Sequence, residues 1–350
     1  MKSFVRLLAL LALSLALGAS VASASNARKP AIDSAAARVV ELQRTDAGWE
    51  GTWFWYVGNT FNATNLTGVT ALGLLEAYQD TNDTAYLDAA VDAAGFIMTH
   101  LGAGATGAQY HTRTTAPDIV FLHRLSQVTG DSSYATRANA EWANIKTFWP
   151  TAGDLDALFR VLNRPSIWDI VFFMEAAHLS GDSAWADGAA AIVANISDPF
   201  YYDPAEDFWY ALNVAHAVYG LVSMGYSGAY NAEVVALLDT LVSLISDSSV
   251  GSSAQMTAYA VLALASVGGS ANGHANDLAR WLADNRAANG GYLEPDAIEY
   301  AESNGEALRA LATTIGTNVT VDGFQPGSGQ NLNSAWQAAA DSQAVPYSGD

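Results

Sequence analysis

The sequence predicts an all-α protein, an α/α toroid of about six helical hairpins, and three observations carry that expectation. Apolar residues make up 51% of the chain and recur at helical rather than strand spacing. A short joint appears three times, as Thr81-Asn82-Asp83-Thr84-Ala85-Tyr86, Thr129-Gly130-Asp131-Ser132-Ser133-Tyr134 and Ser180-Gly181-Asp182-Ser183-Ala184-Trp185. The segment Asp118-Ile119-Val120-Phe121 returns 51 residues later as Asp169-Ile170-Val171-Phe172, the same offset that separates Asp131 from Asp182. A fixed offset shared by two markers is an internal repeat, and a repeat of two helices stacks into a solenoid or closes into a ring.

The elements follow in order. Residues 1–24 read as a secretory signal peptide: Lys2 and Arg6 form a basic start, Leu7 to Gly18 an apolar stretch, and Ala22-Ser23-Ala24 a cleavage site of small residues. The mature chain is therefore expected to be secreted or periplasmic, with no later membrane span. A first helix is expected near 31–45. Inner helices, apolar nearly all round and so buried on every side, are expected near 66–80, 116–129, 167–180, 204–226, 253–268 and 304–315. Amphipathic outer helices are expected near 84–101, 132–149, 183–197, 229–247 and 272–287. In the short joints, Gly or Asn ends one helix in the left-handed region and Ser or Thr caps the next. The first helix has no inner partner before it and the last inner helix no outer partner after it. If those two pair, the toroid domain spans 25–316 and closes, leaving 317–350 as a Gly-, Asn- and Ser-rich tail.

Composition narrows the function. With 35 acidic against 15 basic residues the formal charge is −20, which excludes a nucleic-acid partner because nothing could neutralise a row of phosphates. Lysine is confined to Lys2, Lys29 and Lys146, and there is no cysteine, hence no disulfide, thiolate zinc site or cysteine nucleophile. Gly102-Ala103-Gly104-Ala105-Thr106-Gly107 fits a dinucleotide fingerprint in letters only, since it follows a helix instead of a strand.

Two further segments, Asp46-Ala47-Gly48-Trp49 and Asn289-Gly290-Gly291-Tyr292, each lie between an outer helix and an inner one such as Gly68-Val69-Thr70-Ala71-Leu72-Gly73-Leu74-Leu75 or Gly305-Glu306-Ala307-Leu308-Arg309-Ala310-Leu311. In this grammar the chain resembles the α/α toroid of terpenoid cyclases and protein prenyltransferases, a likeness shared with toroidal polysaccharide lyases and glycosidases. The resemblance implies the fold and withholds the chemistry. The cyclase Asp-x-Asp-Asp acid is missing, its nearest string being Asp154-Leu155-Asp156-Ala157, and the prenyltransferase zinc needs a cysteine.

The joints from outer to inner helix are long (46–65, 102–115, 150–166, 198–203, 248–252 and 288–303) and share one rim, where functional loops gather on a rigid scaffold. Trp53, Trp55, Tyr56, Trp168, Trp209 and Tyr210 lie in or beside them and are candidate platforms for sugar faces. Acids collect on the same rim. Asp118, Asp169, Glu206, Gln255 and Glu306 each stand three residues after Thr115, Ser166, Asp203, Ser252 or Ser303, the spacing of a capping box. Asp207, Glu299 and Glu302 fall outside such boxes. Candidate catalytic groups are Asp118, Asp169, Asp207 and Glu302 for hydrolysis by paired carboxylates, and Tyr110 and His111 for elimination. Arg113 and Glu299 complete the candidate binding set. No cofactor is implied, although scattered rim carboxylates suit Ca²⁺. The expectation is a secreted glycan-active enzyme, hydrolase or lyase. The alternatives are a non-catalytic extracellular module that binds glycan or protein, and an exported cyclase-like protein with an apolar ligand deep in the ring.

Overall fold

The computed structural model describes residues 28–60, 66–102, 108–148, 151–161, 166–197 and 207–315. The expected signal peptide and tail lie outside the described residues. The helices are α1 (28–41), α2 (Thr67–Thr81), α3 (Thr84–His100), α4 (Ala108–Thr129), α5 (Ser132–Phe148), α6 (Leu155–Val161), α7 (Ile167–Leu179), α8 (Ser183–Ala194), α9 (Asp207–Ser223), α10 (Asn231–Ser243), α11 (Ala254–Val267), α12 (Ala271–Asp284) and α13 (Ala301–Ile315). None of them is long and apolar enough to cross a membrane.

The inner helices α2, α4, α7, α9, α11 and α13 each pack on the next, and α13 packs on α2, so the ring closes. Their burial is nearly complete: every residue from Ile167 to Ala177 of α7 is buried. The outer helices α3, α5, α8, α10 and α12 lie against α2, α4, α7, α9 and α11. The sixth pair forms as the leftover helices foretell. Helix α1 buries Ala31, Ile32, Ala35, Ala36 and Val39, one helical stripe. Its Arg28 donates to the Thr314 carbonyl of α13 (3.1 Å) and to the Asn276 carbonyl of α12 (3.0 Å). Tyr86 of α3 reaches the Asp33 carbonyl from the other side.

At the short joints Asn82, Gly130 and Gly181 all take positive φ, as expected. The caps differ from expectation. Asp83 and Asp131, not the following Thr84 and Ser132, accept the amides of Ala85 (3.0 Å) and Ser133 (2.9 Å). Asp182 is drawn off to Lys146 and Trp142 of α5 instead.

Three boundaries also move. Helix α4 begins at Ala108, so Pro117 sits inside it and costs one helical hydrogen bond rather than opening the helix. The loop between α5 and α7 holds the extra helix α6. Helix α10 stops at Ser243, because Ile245–Ser246 pairs with Ser249–Val250 across Asp247 and Ser248, both left-handed. Two positive-φ residues between paired strands are the signature of a tight hairpin turn.

Candidate active site at the long-loop rim

The first and last rim loops cross. Tyr56 bridges Tyr300, Val57 donates to the Glu299 carbonyl (2.9 Å), and Ala301 donates to the Trp55 carbonyl (3.0 Å). This crossing holds Trp55 at the mouth of the ring with 45% of its surface exposed. Trp209, in the first turn of α9, is 50% exposed. Between them opens a pocket of roughly 200 Å³ lined by Trp55, Trp209, Gln255, Glu294, Pro295, Asp296, Tyr300, Glu302 and Ser303.

The acidic wall is preorganised by a turn. Ala297 adopts φ 65° and donates to the Glu294 carbonyl (2.8 Å), while Glu294 donates its own amide to the Ile298 carbonyl (3.0 Å). Asp296 accepts from the Ile298 amide (3.0 Å) and from the Tyr300 hydroxyl (2.8 Å), and that bond pushes the phenol up to about 12. Glu294 is buried. One of its oxygens takes the Gln255 amide of α11 (3.0 Å) and the other has no hydrogen-bond partner.

Below Glu302, one helical turn deeper, lies Glu306. The Trp168 indole donates to the Tyr259 hydroxyl (2.6 Å), which donates to Glu306 Oε1 (2.7 Å), leaving Oε2 unpartnered. Burial, with the charge of Glu302 added, pushes Glu306 well above the usual carboxylate range. Further down the axis the ring is filled. Trp168, Phe172, Tyr219 and Tyr259 surround His216, with ring centroids 4.6 to 6.1 Å from it. Arg309 lies over Tyr219 at 5.1 Å and donates to its hydroxyl (2.6 Å). His216 is held neutral by burial, and neither of its nitrogens has a partner. Among the described residues this part of the axis is packed with aromatic and polar side chains.

Of the expected site residues, Trp55, Trp209 and Glu302 meet at the pocket. Tyr56 stands beside it, edge-on to Tyr300 at 5.9 Å, and Trp168 acts from below through Tyr259. Others serve elsewhere. Trp53 is 1% exposed and donates to the Val39 carbonyl (2.8 Å), so it is core and not platform. Glu299 is buried in a two-pronged pair with Arg38, both bonds 2.8 Å, with Asn304 adding a third; its carboxylate is held below the usual range even though burial opposes this.

Asp118 is buried with one oxygen on the Gly68 amide (2.8 Å), and desolvation pushes it up to about 8. Asp169 is consumed by a capping box with Ser166. Tyr210 is half-buried against the core. Tyr110, His111 and Arg113 fall on α4 rather than on a rim loop, and their side chains, like that of Asp207, lie outside the described residues. The residues that sequence reasoning missed are Glu294, Asp296 and Tyr300. The string Glu294-Pro295-Asp296, a proline-centred acidic turn just after Gly290-Gly291, was the available signal. Among the described residues no three acids or histidines converge to hold a metal ion, so the expectation of Ca²⁺ gains no site there.

No protein-family model and no curated protein matches this sequence. Solved structures do match the fold. The α-1,6-mannanase GH76A from Salegentibacter sp. HEL1_6 superposes with a TM-score of 0.58 at 13% identity, covering 82% of this chain and 98% of its own. An unsaturated glucuronyl hydrolase specific for heparin gives 0.58 at 14% identity, covering 83% and 97%. The Lin0763 protein from Listeria innocua gives 0.54 at 12%, covering 82% and 96%. At such identities the likeness speaks to the α/α toroid alone.

Proposed function

We propose that this chain is an exported glycoside hydrolase that binds a sugar chain across the long-loop rim. The observation that carries this reading is the pocket itself: two half-exposed indoles, Trp55 and Trp209, flank the carboxylates Glu294, Asp296 and Glu302. Indole faces stack on the C–H faces of pyranose rings, and carboxylates bond hydroxyls or move protons, so this combination suits saccharides. The mannanase and glucuronyl hydrolase on the same toroid support the reading by fold. Export rests on the N-terminal basic and apolar segment.

Hydrolysis of a glycosidic bond needs one carboxyl group to protonate the leaving oxygen and a second to act as base or nucleophile. Glu302 is assigned to this work because it lines the pocket, between Trp55 and Trp209 on one side and the deeper Glu306 on the other. Asp207, opening α9 two residues before Trp209, is the proposed partner. Asp296, held by two donors, acts as a fixed acceptor for substrate hydroxyls. The test is product release from a panel of neutral, anionic and cationic oligosaccharides, read by chromatography. Cleavage of at least one member, reduced roughly 100-fold or more in Glu302→Gln, is expected. Binding without any cleavage across the panel would instead make the chain a non-catalytic glycan module.

A further inference from the structure

The pocket lining carries three carboxylates and, among the described residues, no lysine, arginine or histidine. Glu294 sharpens that imbalance. It is 7% exposed, one oxygen is spent on the Gln255 amide, and the other has no donor. A carboxylate oxygen so far out of water and without a donor is costly unless something arrives to bond it. Among the described residues no three acids or histidines gather into a metal ligand set.

An ammonium meets both demands at once. It gives a charge-assisted bond to the unpartnered, buried oxygen once it displaces the wall around it, and lies favourably against indole faces such as those of Trp55 and Trp209. A uronate in the same place would bring one more carboxylate among those of Glu294, Asp296 and Glu302, and a hydroxyl would satisfy the oxygen without complementing the acids. The formal charge of −20 further concentrates cations around the molecule.

We propose that the rim pocket takes an amino sugar, a saccharide bearing a protonated primary amine, and that Glu294 is the residue meeting the ammonium. The inference rests on the reading of the rim as a glycan site and names the class of glycan.

The test is calorimetric binding of the full chain to five probes: glucosamine trisaccharide, its N-acetylated counterpart, mannotriose, a galacturonate trisaccharide and trilysine. The glucosamine trimer is expected to bind about tenfold or more tightly than the N-acetylated one, and added salt should weaken only the former. Glu294→Gln should bring the two within about twofold, while its circular dichroism spectrum and denaturation midpoint report that the variant is folded. Equal or tighter binding of the N-acetylated, neutral or uronate probes would overturn the amino-sugar inference and leave the glycan reading standing. A preference that survives Glu294→Gln would overturn the role of Glu294. Binding of trilysine alone, or of no probe, would overturn both.

Discussion

Trp53 and Trp55 show how far residue type falls short of residue role. Two positions apart on an extended segment, they would share a face, and the sequence offers both as platforms. The loop turns between them, so Trp53 enters the core and bonds Val39 while Trp55 faces the mouth. Replacing Trp53 by Ala should cost about 3–5 kcal/mol in chemical denaturation. The same change at Trp55 should leave the midpoint nearly unmoved and weaken oligosaccharide binding about tenfold or more.

Asp118 separates stability from chemistry in another way. Its folded value of about 8 lies above that of the unfolded carboxylate, so the unfolded chain releases this proton first as pH rises. Its contribution is complete at acid pH and is lost from about pH 4 upward to pH 8. Asp118→Asn keeps an acceptor for the Gly68 amide and removes that loss. The variant should match the parent near pH 4 and exceed it at neutral pH by on the order of 2 kcal/mol, read from denaturation midpoints across pH.

At the scale of elements, most of the helices were legible because burial imposes a period on the chain, and Asn82, Gly130 and Gly181 mark ends that only left-handed residues can make. The caps of the inner helices were not legible. Among the described residues only Ser166 and Asp169, at α7, form the full local box, and Ser253 caps α11; neighbours add bonds that no local pattern shows, Asp118 of α4 taking the Gly68 amide of α2, Asn213 of α9 the Trp168 amide of α7, and Glu294 the Gln255 amide of α11. Those partners lie 39 to 50 residues away, beyond any local pattern. Thr115 and Ser303 lost their expected roles because α4 and α13 start earlier than local signals indicate. Where α2 meets α13 the backbones touch through glycines: a Cβ on Gly73 would strike the Gly305 carbonyl, and one on Gly305 would meet the Cα of Thr70 at 2.5 Å. Neither backbone can yield without shifting a fully packed helix. Gly73→Ala should therefore cost about 1–3 kcal/mol, measured by thermal or denaturant unfolding, although alanine is the better helix former.

For the whole molecule, closure was foreseeable from the count of unpaired helices, but the means of closure was not. A long-range ion pair supplies part of it: Arg38 of α1 grips Glu299 just ahead of α13, both charges buried. In sequence Glu299 looked like an exposed rim acid, since nothing local announces a partner 261 residues away. Removing one member strands the other in the interior, so Glu299→Ala should cost about 3–5 kcal/mol and open the junction of α1 and α13 to limited proteolysis, whereas an exposed control such as Asp277→Ala should do neither. The pocket was only partly visible for the same reason. Its walls come from the first rim loop, the start of α9, the start of α11 and the approach to α13, which the ring alone brings together.

The bond from Arg28 to Thr314 spans 286 residues. A chain made from its amino end must therefore carry the apolar stripe of α1 and the bare flank of α2 uncovered until nearly the last helix emerges. Contacts of such separation are slow to form, and their delay sets both the pace of maturation and the interval of greatest risk from aggregation. The first helix of the ring is thus among the last to find shelter.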